Sequence, residues 1–205
     1  GPRQAATDAA EAFVKERDLC YMSHNLSPYF SEGMKAASYE LVDVLGGEID
    51  HVVLPVGNGS LLIGMVRGYQ ELLAAGVIVN IPKFHCVQAH AVRPLVAALN
   101  GEQWSYHDAL PTDASGIAVS KPPRLAEMLE AIKSTNGSGI TVPEESLGAW
   151  QKRLSASEGL FSEMTSAGAF AGLERLIESG EIEHGSNVCL PITGSGLKEP
   201  LKVVG

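Results

Sequence analysis

The sequence predicts an α/β domain: a mainly parallel sheet with helices on both faces. Three observations predict it. Segments of strand character alternate with segments of helical periodicity along most of the 205 residues, and such alternation implies right-handed crossovers between parallel strands. Residues 51–56 form an almost unbroken apolar run, as expected of a strand covered on both faces. That run passes at once into Gly57-Asn58-Gly59 and a new helix, the kind of junction at which open parallel sheets bind ligands.

The elements follow in order. Residues 4–17, rich in Ala and Glu with Phe13 on the apolar side, predict a helix, and residues 19–23 a short strand. His24-Asn25-Leu26-Ser27-Pro28 reads as a connection. Ser31 is placed as the cap of a helix through Met34, Ala37, Leu41 and Leu45, ended by Gly46-Gly47. After the strand at 51–56, Ser60 starts a helix through Leu62, Met65, Val66, Tyr69 and Leu73, closed by Gly76. Residues 84–89 read as a strand and 90–99 as a short helix. Residues 100–120 lack periodicity and read as a surface excursion. Pro122-Pro123 opens a helix through Leu125, Met128, Leu129 and Ile132. A strand at 139–142, a helix at 143–155, a short strand at 160–161 and a helix at 166–179 follow. A last strand at 188–192 runs into Thr193-Gly194-Ser195-Gly196-Leu197.

Composition narrows the function classes. Apolar residues make up 45% and charged residues 19%, enough for a packed core. The net charge of −9 argues against a nucleic-acid partner, which needs a basic face. Cys20, Cys86 and Cys189 are widely spaced. Their odd number and the absence of C-x-x-C fit a reducing compartment, with all three as buried small hydrophobes. No apolar run approaches the roughly 18–20 residues of a membrane span, and Gly1-Pro2-Arg3-Gln4 does not resemble a signal peptide. The expectation is a cytoplasmic protein, with residues 1–25 and 26–205 in different domains.

Three segments lie at predicted C-terminal strand ends: 57–60, 163–166 and 193–197. All are rich in small or hydroxyl residues. In the first, glycines let the backbone approach an anion and turn several N–H groups toward it. The helix beginning at Ser60 adds its positive end. The pattern equally fits a tight strand-to-helix turn with nothing bound, and the spacing does not separate the two. A P-loop would need Lys and Ser or Thr where Leu61-Leu62-Ile63-Gly64-Met65 stand. A dinucleotide loop would need a glycine at Leu62 and an acid after the next strand, where Ala89-His90 stand. In the last loop, Thr193 and Ser195 offer neutral hydroxyls that can donate to or accept from a heterocycle nitrogen, although a helix cap or loop hydroxyl is the commoner role of such residues. The six histidines show no metal spacing, and His24 lies where it can approach the site.

Four stretches in register resemble a known family. They are Ser23-His24-Asn25-Leu26-Ser27-Pro28-Tyr29-Phe30-Ser31-Glu32-Gly33, Leu54-Pro55-Val56-Gly57-Asn58-Gly59-Ser60-Leu61-Leu62, Glu163-Met164-Thr165-Ser166-Ala167, and Pro191-Ile192-Thr193-Gly194-Ser195-Gly196-Leu197-Lys198. Together they resemble the threonine synthase-like branch of fold-type II (tryptophan synthase beta-like) pyridoxal-phosphate enzymes. The resemblance implies pyridoxal 5'-phosphate as cofactor, its phosphate held by the backbone of Gly57, Asn58, Gly59, Ser60 and Leu61. It implies Thr193, or Ser195 in its place, at the pyridine nitrogen, and Glu163, Thr165 and Ser166 along the pocket. It implies a lyase acting at the β or γ carbon of a small amino acid, and a homodimer. The family's Schiff-base lysine belongs to a Ser-x-Lys motif upstream, and none of Lys15, Lys35, Lys83, Lys121, Lys133, Lys152, Lys198 and Lys202 has that context. The expectation is a C-terminal fragment, inactive alone, with no catalytic residue of its own. The competing expectation is a non-catalytic phosphate- or nucleotide-binding module.

Overall fold

In the computed structural model, which describes residues 3–199, four parallel strands form one sheet. They are β1 (His51–Pro55), β2 (Lys83–Ala89), β3 (Gly139–Val142) and β4 (Val188–Cys189), in the order β3-β2-β1-β4. Val53 pairs with His85, and Cys86 with Gly139. The helices are α1 (Arg3–Glu16), α2 (Pro28–Met34), α3 (Ala36–Leu45), α4 (Ser60–Ala74), α5 (Pro94–Leu99), α6 (Leu125–Ser134), α7 (Glu144–Glu158) and α8 (Met164–Glu178). Gly1, Pro2 and Lys202 lie outside the described residues.

Alternation along the strands divides the core into two layers. Val52, Leu54, Phe84 and Cys86 face a layer built by α3, α4, α5 and α6, which includes Leu62, Met65, Tyr69, Met128 and Ile132. Val53 and Val87 face Leu147 of α7 and Ala171 and Leu176 of α8. All five β1 positions are buried, so the unbroken apolar run reports a central strand covered on both sides. Glycines set the closest approaches. A Cβ on Gly64 would lie 2.6 Å from the Ser31 carbonyl oxygen, and one on Gly68 2.9 Å from the Lys35 carbonyl oxygen. The α2–α3 segment therefore crosses α4 almost backbone to backbone.

Several expectations are corrected. Residues 19–23 form no strand, because no neighbouring strand offers them a ladder. Cys20 in that segment is exposed rather than buried, whereas Cys86 is buried and Cys189 half-buried. The helix expected from Ser31 is two helices meeting at Lys35. The first starts at Pro28, whose missing N–H costs nothing in a first turn. Ser31 lies inside α2, and its hydroxyl accepts from the Arg124 guanidinium. Leu45, expected on the apolar face, is half-exposed. Helix α5 starts at Pro94 rather than residue 90, since a residue before proline is pushed toward extended backbone. The strand expected at 160–161 is one antiparallel bridge between Ser162 and Ser195. The last strand keeps only two residues. The excursion at 100–120 turns inward at its end, burying Ala114, Ile117 and Val119.

Two buried polar groups tie the layers together. Gln88 donates to the Val56 carbonyl (3.0 Å) and accepts from the N–H groups of Leu95 (2.9 Å) and Val96 (3.1 Å). It thereby joins the end of β1 to the first turn of α5. At the opposite, N-terminal end of the strands, His51 Nδ1 lies 2.9 Å from His85 Nε2, and His85 Nδ1 lies 2.8 Å from Ser138 Oγ. Burial, with His51 and Lys83 as secondary causes, pushes His85 down to about 4.

Candidate cofactor cleft

Strand β1 ends at Pro55, and Val56 still donates to the Val87 carbonyl (3.0 Å). The chain then leaves the sheet through Gly57-Asn58-Gly59 and enters α4 at Ser60. Neither glycine admits a side chain. A Cβ on Gly57 would lie 2.8 Å from the Gly116 carbonyl oxygen and 3.2 Å from Ile117 Cα. Gly59 has φ +80°, and a Cβ there would collide with the buried Met128 side chain. The loop is thus wedged between the 114–119 segment and α6, leaving its remaining side to the cleft.

The hydrogen bonding of this loop bears directly on what it can hold. Among the described residues, the first amide of the turn that donates to the backbone is Ile63, to the Gly59 carbonyl at 2.8 Å. The N–H groups of residues 57–62 donate to no backbone acceptor. Ser60 Oγ is buried and makes no hydrogen bond. The first N–H groups of an α-helix have no intrahelical acceptor, which leaves them to solvent or a ligand. A run of them around an α-helix N-terminus fits an oxygen-rich dianion such as a phosphoester.

Facing this loop, the chain doubles back at residues 161–163 and 193–198. Glu163 N–H donates to the Gly194 carbonyl (3.0 Å) and Gly196 N–H to the Phe161 carbonyl (2.9 Å). A Cβ on Gly194 would lie 2.7 Å from Glu163 Cδ, and one on Gly196 2.8 Å from the Phe161 ring. Both glycines are therefore fixed by close packing. Within this clasp, Thr193 N–H donates to Ser166 Oγ (2.9 Å), and Ser166 Oγ lies 2.9 Å from Thr193 Oγ1. Thr193 Oγ1 donates to Glu163 Oε1 at 2.7 Å. Glu163 is buried and is paired with Lys198.

These two walls enclose a cleft of about 440 Å³, within the usual span of small-molecule sites. Gly57, Asn58, Gly59, Ser60, Leu61, Glu163, Thr165 and Thr193, which the sequence brings forward separately, line it together. Ser166 lies buried behind Thr193 rather than on the surface of the cleft. Ser195 is not on the lining; its hydroxyl accepts from the Leu197 N–H (3.2 Å) and caps a short 3-10 turn. His24 does reach the cleft, with Phe30 and Met34 beside it. Sequence reasoning missed Gly116 and Ile117, where Gly116 N–H donates to Thr165 Oγ1 (3.0 Å). Their one local signal is the small Ser115-Gly116 pair inside an aperiodic stretch. Among the described lysines, Lys198 alone lines the cleft, and its side chain is 56% exposed.

A family model described as pyridoxal-phosphate dependent enzyme matches residues 1–194. The chain belongs to this family. It is similar to a threonine synthase of Methanocaldococcus jannaschii, 32% identical over 201 residues, covering 95% of this chain and 49% of the relative. The threonine synthase of Mycobacterium tuberculosis is 33% identical over 177 residues, covering 86% of this chain and 48% of the relative. The chain spans about half the length of the curated relatives it matches. Among solved structures, threonine deaminase isoform 2 from Solanum lycopersicum superposes with a TM-score of 0.72 at 21% identity, covering 90% of this chain and 51% of that one. O-ureido-L-serine synthase superposes at 0.71 with 19% identity, over 96% and 56%. Those two likenesses establish the fold, that of the tryptophan synthase beta-like pyridoxal-phosphate enzymes.

Proposed function

We propose that this chain is the cofactor-holding part of a pyridoxal-phosphate lyase of threonine synthase type, acting at the β or γ carbon of a small amino acid. The observation that carries it is the run of undonated amides at residues 57–62, with buried Ser60 Oγ beside them. They face Thr193 and Glu163 across one cleft. These groups fit the cofactor. The amides and the positive end of α4 would hold the phosphate dianion without a cationic side chain. Thr193 would be the partner for the ring nitrogen, with Gly116, Ile117 and Thr165 lining the cleft beside it.

When bound, the group supplies the electron sink that labilises bonds at the substrate's α carbon. The chain's own residues bind and orient. The amides of residues 57–62 would hold the phosphate and Thr193 the far end of the ring, and two such anchors would orient it in the cleft. His24, Phe30 and Met34 lie where they shield the cleft from water.

The Schiff-base lysine is proposed to lie outside these 205 residues, because Lys198 is committed to Glu163 and largely solvated. Residues up to about 25 are proposed to belong to a smaller neighbouring domain, with 26–205 as the cofactor domain. Their apolar side chains support this: Phe13 and Leu19 are half-exposed and Met22 is 83% exposed. A homodimer and a cytoplasmic setting complete the proposal. Among the described residues, no helix is long and apolar enough to cross a membrane.

Equilibrium dialysis tests the cleft with three probes: pyridoxal 5'-phosphate, pyridoxal and inorganic phosphate. The phosphorylated form is expected to bind at least tenfold more tightly than pyridoxal, with inorganic phosphate competing. Equal binding of both pyridoxals, or no competition, would count decisively against the proposal.

A further inference from the structure

The connection that brings His24 to the cleft is held by polar contacts rather than by packing. The N–H groups of Leu26 and Ser27 both donate to the Ser23 carbonyl (3.1 and 3.0 Å), closing a turn that carries His24. No side chain of residues 19–27 is fully buried. Beyond Pro28 the chain is fixed, because α2 crosses α4 at Gly64 almost backbone to backbone. A turn with no buried apolar anchor opens easily unless polar groups tie it down.

Arg124 supplies the tie. Its guanidinium donates to the carbonyls of Leu26 and Ser27, each at 3.2 Å, and to the buried Ser31 Oγ. Its side chain is only 10% exposed, and Glu127 Oε1 lies 3.8 Å from its Nε. A planar fork with donors in fixed directions suits three separate acceptors, which a single ammonium on a flexible stem does not. Arg124 stands immediately before α6, and its carbonyl accepts from the Met128 N–H (3.0 Å). Met128 in turn lies against Gly59. The start of α6 therefore anchors both the glycine loop and the turn. His24 and Phe30, on either side of Pro28, line the same cleft with ring centroids 5.2 Å apart.

We propose that Arg124 is a positioning residue that latches the Ser23–Ser27 turn, and with it His24, onto the wall of the cofactor cleft. The consequence for a ligand rests on the cofactor reading of the cleft; the latch itself does not. With the turn held, His24 and Phe30 stay beside a bound ring and slow its release. With the turn loose, the amides of residues 57–62 still take a phosphate, but the ring loses that side of its enclosure.

Two measurements on Arg124→Gln and Arg124→Lys test this. Amide hydrogen exchange without ligand reads the latch. In Arg124→Gln, protection at Leu26 and Ser27 is expected to fall about tenfold, while the α4 amides beyond Gly64 keep theirs. Arg124→Lys, with one ammonium for three acceptors, is expected to fall between the two. The dissociation rate of pyridoxine 5'-phosphate, which has no aldehyde and forms no bond to lysine, reads the consequence. It is expected to rise about tenfold in Arg124→Gln, with the affinity for inorganic phosphate unchanged. A general loss of stability would weaken both ligands together. Unaltered protection at Leu26 and Ser27 overturns the latch. Lost protection with an unaltered release rate, or with an equal loss of inorganic phosphate binding, overturns its role at the cleft. If Arg124→Gln does not fold, Arg124→Lys decides by the same two readings. Failure of the wild-type chain to bind pyridoxine 5'-phosphate refutes the cofactor reading, and the exchange measurement still judges the latch.

Discussion

Replacing Gly59 by alanine attacks the glycine loop at its most constrained point. Gly59 has φ +80°, a left-handed conformation that costs an L residue about 1–2 kcal/mol. The new methyl would also collide with Met128. Met128 is fully buried between α4 and the sheet, so its thioether cannot swing into solvent. Overpacking a dense core costs about 1–3 kcal/mol. The two effects together predict a loss of about 2–5 kcal/mol, a large share of the stability of an ordinary domain. Urea unfolding of the two chains measures it. The midpoint should fall by roughly 1–2 M with the slope unchanged. Displacement of the loop should also remove at least one amide from a bound phosphate. At about 1.5–3 kcal/mol per hydrogen bond to a charged group, binding weakens roughly ten- to hundredfold. A midpoint within experimental error of the wild type, with phosphate affinity intact, would refute the assigned packing.

Three further outcomes are expected. Gly64→Ala, at the crossing with α2, should destabilise by about 1–3 kcal/mol, whereas Gly148→Ala, in α7 with nothing within 4 Å of a new Cβ, should stabilise by about 0.5–1 kcal/mol; thermal unfolding of both variants reads the contrast. Gln88→Leu leaves the Val56 carbonyl and the N–H groups of Leu95 and Val96 without their buried partner. It should cost about 2–5 kcal/mol in urea unfolding and loosen phosphate binding, because Val56 leads into the loop. The third outcome concerns His85, held down to about 4 when folded against about 6.5 when unfolded. The unfolded chain binds the extra proton between these values, so stability contributed by the neutral ring is complete above pH 6.5 and is lost as pH falls toward 4. The loss is about 3 kcal/mol at most. In chemical denaturation across that range, His85→Gln should show a shallower pH dependence than the wild type, and an identical slope would count against it.

The legible parts of the sequence were those where one physical signal dominates. The apolar run 51–56 and the glycines after it could hardly form anything but a central strand meeting a helix. The helices α4, α6 and α8 declare themselves through apolar spacing. Other parts depend on partners distant in sequence. Residues 19–23 have strand-like composition, but a strand needs a neighbour. Ser31 resembles a cap until Pro28 starts the helix earlier and Arg124, 93 residues away, claims its hydroxyl. In the cleft, Gly57-Asn58-Gly59 was visible from its glycines as a strand-to-helix loop, and Thr193 only as one hydroxyl among two. Ser195 could be separated from Thr193 only once its bond to the Leu197 N–H was seen. The pairing of Glu163 with Lys198 and the entry of Gly116 and Ile117 follow from tertiary packing, and no periodicity announces them.

The most direct measurement is a backbone amide NMR titration of the 15N-labelled chain with inorganic phosphate and then pyridoxal 5'-phosphate. Saturable downfield shifts should appear at Gly57, Asn58, Gly59, Ser60 and Leu61, with the histidine pair at the far end of the sheet unmoved. Saturable binding that leaves those five amides in place, and instead moves residues between α1 and the 118–123 segment, would contradict the phosphate cradle.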